Sequence, residues 1–79
     1  MYQTEDLYLA SAIQEMGIKP RGVWKDGSRS TFEFEDTPEL QRVITDFISG
    51  NLTLEAQGYS ERIRSAKSAV KNAPGRVRT

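Results

Sequence analysis

Residues 37–50, Thr37-Pro38-Glu39-Leu40-Gln41-Arg42-Val43-Ile44-Thr45-Asp46-Phe47-Ile48-Ser49-Gly50, carry every signal that starts, orients and stops a short helix. The Thr37 hydroxyl can accept from a free N–H of the first turn, and Pro38 presets φ where a missing N–H costs nothing. Leu40, Val43, Ile44, Phe47 and Ile48 then fall on one apolar stripe, with Glu39, Gln41, Arg42, Thr45 and Asp46 opposite. Gly50 supplies the left-handed residue that commonly closes a helix. One face of this helix has to be buried, and the rest of the chain supplies what covers it. On that reading Phe47 is core, and Phe47→Ala is expected to unfold the domain.

Upstream, Thr4 is placed to cap a first helix running to about Met16, with Leu9, Ile13 and Met16 as its core face, Leu7 and Ala12 at the edges, and Gly17 as its stop. The period then changes. Pro20 and Gly22 argue against helix, Val23 and Trp24 favour strand, Asp26-Gly27 suits a tight turn, and Thr31 to Glu35 alternates. This is a β-hairpin with Phe32 and Phe34 on one face and Thr31, Glu33 and Glu35 on the other. If Asp26-Gly27 is the two-residue loop, Lys25 opposes Ser28, Trp24 opposes Arg29, and Trp24 points away from the phenylalanines. A three-residue loop would exchange the faces. After Gly50, Thr53 is placed to cap a third helix with Tyr59, Ile63, Ala66 and Val70 on one face. Gly58 weakens its start, so the well-formed part is expected nearer Tyr59.

The expected fold is a small α+β domain, α-β-β-α-α, over residues 1–72, followed by a flexible basic tail, 73–79. Helix two is expected to pack on the Phe32/Phe34 face, flanked by the other two. A two-stranded hairpin is marginal alone, so it needs those helices or a second copy of the chain, and a homodimer is one way to steady it.

The 79 residues include no cysteine and no histidine. That removes disulfides, the usual thiolate and imidazole zinc ligands, and the commonest nucleophile and general base. No glycine-rich phosphate loop is present, and Ser28, Ser30, Ser60 and Ser65 have no histidine to activate them. Glu33 and Glu35 could offer hard oxygens to a cation, but alternating acids on an edge strand serve solvation and edge protection more often. No catalytic, cofactor or metal site is therefore expected. No apolar run reaches the roughly 18 residues of a membrane span, and the acidic amino end is unlike a signal peptide, so the expected location is cytoplasmic.

Formal charge is zero, but residues 1–61 hold 5 Lys/Arg against 11 Asp/Glu, whereas Arg62, Arg64, Lys67, Lys71, Arg76 and Arg78 follow with no acid. Two functions compete for this dipole. A nucleic-acid-binding accessory protein would use those six residues, with Trp24, Arg21 and Arg29 for stacking. A protein-interaction module would use the hairpin face, with Trp24, Arg21, Arg29, Glu33 and Glu35 as its partner-binding residues. The charge balance favours the second.

Thr4 to Ala10 (T-E-D-L-Y-L-A), Phe32 to Leu40 (F-E-F-E-D-T-P-E-L) and the closing helix together resemble a family of small uncharacterised proteins of bacteria and their phages. In that family a T-x-D-L-Y-L-A opening precedes an F-x-F-x-D strand end and two helices. The similarity spans roughly residues 2–71, with Gly58 and the GRVRT tail departing from the pattern. It implies a phage or mobile-element setting and assigns no activity to any residue. Small phage-borne proteins of this size often bind and block a host complex, including defence machinery. The resemblance thus implies an inhibitor acting by occlusion, with Glu33 and Glu35 mimicking phosphate spacing or filling a basic groove.

Overall fold

The computed structural model describes residues 1–75. Its elements run β1 (Tyr2–Thr4), α1 (Leu7–Glu15), β2 (Gly22–Asp26), β3 (Arg29–Phe34), α2 (Pro38–Ser49) and α3 (Ala56–Lys71). The expected order of helix, hairpin, helix and helix is present, in an α+β domain. A third strand is added: β1 pairs antiparallel with β3, giving a sheet of order β1-β3-β2. Tyr2 opposes Phe34 and Thr4 opposes Phe32, so β3 is central and the hairpin has a partner within the same chain. A third strand with a buried face is what an isolated hairpin lacks.

Because Thr4 is committed to pairing, it does not cap α1. Asp6 does: its Oδ1 accepts from the N–H groups of Tyr8 at 2.9 Å and Leu9 at 3.2 Å, while Thr4 Oγ1 accepts from the Asp6 N–H. A carboxylate at this position also suits the helix dipole. Met16 is the C-cap and is 42% exposed, which removes it from the expected core face. In its place five successive residues, Leu9 to Ile13, are buried, so α1 is enclosed on all sides.

The hairpin turn lies one residue beyond the expected place. Asp26 opposes Arg29, leaving Gly27 and Ser28 as the central pair, with Gly27 at φ +65°. Glycine at the first central position is the type II′ pattern, whose twist matches the flanking strands. Trp24 therefore opposes Thr31, and Lys25 opposes Ser30 rather than Ser28. The register differs from the expected one by two residues, an even shift that preserves faces. Val23 sits opposite Phe32 on the core side, and Trp24 is on the other.

For α2 the local signals act as anticipated: the Leu40 N–H donates to Thr37 Oγ1 at 3.1 Å, and Gly50 closes the helix at φ +77°. Leu40, Val43 and Ile44 are buried, but Phe47 is half-buried and Ile48 is 76% exposed. The stripe is thus narrower than its sequence pattern, because α2 meets α1 over its first half. It is α1 that stands in the middle of the helical layer, against α3 on one side and α2 on the other, and this replaces the expected arrangement centred on α2.

Helix α3 begins at Ala56, earlier than Gly58 suggested, and its N-cap is Glu55 rather than Thr53. Glu55 Oε2 accepts from the Gly58 N–H at 2.7 Å. A side chain at Gly58 would begin 2.5 Å from that oxygen and 2.7 Å from Glu15 Oε1, so glycine here lets two carboxylates lie against the helix. Beyond α3 the chain returns to β2: the Lys25 N–H donates to the Pro74 carbonyl at 3.0 Å, and Gly75 bridges Lys25 in parallel. The remainder of the expected flexible tail, residues 76–79, lies outside the described residues.

Phe32 and Phe34 join Leu9, Ala10 and Ile13 of α1, Leu40, Val43 and Ile44 of α2, and Ala66 of α3 in one core. All three helices thus lie on a single face of the sheet. Phe34→Ala removes a ring with no exposed surface, a loss of about 3 to 5 kcal/mol against a similar total for a domain of this size. It is expected to abolish the cooperative thermal transition in circular dichroism. Ile48→Ala is expected to melt like the parent, within about 0.5 kcal/mol, and Phe47→Ala to fall between.

Tyr59 ties α3 to α1 by donating its hydroxyl proton to the Tyr8 carbonyl at 2.9 Å. Burial, then the charge of Asp6, then Tyr8 push its pKa up from the ordinary 10.0. Below that ordinary value the phenol is neutral in both states and its contribution is complete. As pH rises through it, the unfolded chain ionises first and stability falls. Urea titrations above pH 10 are expected to show this loss in the parent, and Tyr59→Phe is expected to lack that part of it.

Candidate functional site

The face of the sheet opposite the helices is built from Gln3 of β1, Trp24 of β2, and Thr31 and Glu33 of β3, none of which belongs to the core. Trp24 is half-buried, and its indole folds along the strand over Gly22. A Cβ at Gly22 would lie 3.0 Å from the indole Nε1 and 3.2 Å from Cε2 and Cζ2. Glycine two positions away on the same face is what gives the ring a flat seat. Beside it Gln3 Nε2 donates to Glu33 Oε2 at 2.7 Å, which orients the carboxylate.

Of the residues expected to bind a partner, Trp24 and Glu33 share this face, and Arg29 stands at its hairpin end. There Arg29 Nε is 3.8 Å from Glu5 Oε1, with both side chains more than half exposed. Arg21 and Glu35 lie outside the strands at the other end, both exposed, and the Arg21 N–H donates to the Glu33 carbonyl. Six residues of strand, about 20 Å, separate them from Arg29. The expected five therefore form a line with Trp24 near its middle. Glu33 and Glu35 are not an alternating pair on one strand, because β3 ends at Phe34.

The expected basic surface of α3 also divides. Arg62 turns to α1, with its Nε 3.5 Å from Glu15 Oε2. At about 3.6 residues per turn, Arg64, Lys67 and Lys71 share the opposite flank of the buried stripe, and all three are exposed. The backbone carbonyl of Lys71 accepts from Lys25 Nζ at 3.2 Å, bringing a fourth cation to that end of the helix. Arg76 and Arg78 lie outside the described residues.

Between this flank and the helix-facing side of the hairpin end is an open cavity of about 370 Å³. Leu7, Phe32 and Val70 give it an apolar lining, and Arg29, Lys67 and Ser30 give it a polar one. Glu5 and Ser28 complete the rim. Sequence reasoning missed this site because its residues come from β3, α3, the turn, the β1–α1 link and the start of α1. Among the described residues no three Asp or Glu side chains gather as a metal site would need, and no helix is long and apolar enough to cross a membrane.

Among the described residues the chain is a two-layer α+β domain, with three helices on one side of a three-stranded sheet. The chain belongs to the family described as Domain of unknown function (DUF5659), which matches residues 1–72. It is thus a member of an uncharacterised small family. No curated protein matches the chain, and no solved structure does.

Proposed function

We propose that this domain is a non-enzymatic protein-interaction module whose binding surface is the helix-free face of the sheet, with Trp24 at its centre. The observation that carries the reading is the indole seated on Gly22 between polar neighbours, on the face of the sheet opposite the three helices. A flat, pre-positioned tryptophan contributes large contact area with little ordering cost, which is why tryptophan dominates interface hot spots. Gln3, Glu33 and Arg29 around it provide a polar rim whose charges select the partner and raise the encounter rate.

The narrower form of this proposal is an inhibitor of phage or mobile-element type, working in the cytoplasm, that binds and occludes a host protein complex such as defence machinery. Its support is the resemblance carried by Thr4 to Ala10 and Phe32 to Leu40, together with the acidic body. A second reading, a nucleic-acid-binding accessory protein, is favoured by the shared flank of Arg64, Lys67 and Lys71. Against it stand a zero formal charge and a sheet face carrying Glu33.

Parallel affinity captures with the parent and Trp24→Ser, both checked for folding by circular dichroism, test the proposal. The expected result is a partner protein, or a second copy of the chain, retained by the parent and reduced about tenfold or more by a variant lacking the hot spot. Equal capture by both proteins overturns it. So does binding of a mixed-sequence oligonucleotide that weakens steeply with salt and depends on Lys67, which would establish the second reading.

A further inference from the structure

We propose that the cavity on the helix side of the hairpin end is a binding site for a small carboxylate with an apolar body. Apart from Arg29, which reaches both, its lining is separate from the partner surface proposed across the sheet. At about 370 Å³ the cavity is within the usual range for small-ligand sites. It holds the equivalent of roughly a dozen waters at ~30 Å³ each. The half-buried Leu7 and Val70 would shed water onto a hydrocarbon body, while the head group meets Arg29 and Lys67.

Charge decides what that head group is. Two cations and the single carboxylate of Glu5 leave the cavity with a net charge of +1, which a monoanion neutralises and a phosphate dianion would exceed. The planar guanidinium of Arg29 matches a carboxylate in a two-point contact, and the Ser28 and Ser30 hydroxyls can donate to its oxygens. Glu5 is the internal competitor. At 3.8 Å, with both groups exposed, its pairing with Arg29 is weak enough for an incoming carboxylate to displace.

The test is a titration of the ¹⁵N-labelled chain with octanoate, followed by amide shifts, with octylammonium as the matched probe of opposite charge. Octanoate is expected to saturate shifts at Ser28, Arg29, Ser30 and Lys67, and octylammonium to leave them unmoved. Lys67→Glu is expected to weaken octanoate roughly three- to tenfold or more, and Glu5→Gln to strengthen it about two- to fivefold, the range for exposed charge pairs. Because both substitutions are on the surface, their spectra report folding directly. Equal binding of the two probes, shifts centred on Trp24 or Ile48 instead, or indifference to both substitutions overturns the proposal.

Discussion

Everything in this fold depends on the all-round burial of α1. Leu9, Ala10, Ser11, Ala12 and Ile13 are buried in succession, which a helix on the surface of a domain does not show. Burial on every side is possible because three of the five side chains are small, so α3 can approach closely with Ala66 at the contact. The one polar member is satisfied locally: Ser11 Oγ donates to the Leu7 carbonyl at 2.7 Å. Left unpaired, that hydroxyl would cost about 1 to 3 kcal/mol, a large share of what so small a domain has.

That central helix also determines what is left exposed. With α1 between α2 and α3, the buried apolar residues of the helical layer gather with Phe32 and Phe34, and one side of the sheet receives every helix. The other side receives none of the helices. On that side the indole of Trp24 rests on Gly22, which is where we propose that a partner docks. The same geometry opens the cavity, since α3 passes the hairpin end at a distance that leaves Leu7 and Val70 incompletely covered.

The sequence made some of this legible and hid the rest for identifiable reasons. Helix α2 could be read almost completely, because Thr37, Pro38 and Gly50 act within one turn of where they stand. Its burial could not, since Ile48 lies on the stripe yet has no neighbour to cover it. The enclosure of α1 was invisible because alanine and serine carry little hydrophobic signal. Strand β1 has three residues, too few for alternation to register, and its loss displaced the helix start from Asp6 to Thr4. Glu55 was passed over as a cap because its longer side chain is a less usual one than the Thr53 hydroxyl. The outward face of Trp24 survived a misplaced turn because the error was an even number of residues. The cavity, by contrast, needs both strand and helix residues distant in the chain in place before it exists.

The most direct measurement is native-state amide hydrogen exchange, residue by residue. With α1 as the hub, the amides of Ser11, Ala12 and Ile13 open only with global unfolding, alongside Phe32 and Phe34 of the central strand, and more slowly than any in the second half of α2. Faster exchange in α1 than at Val43 and Ile44 of α2 would contradict this, and would return the centre of the domain to α2.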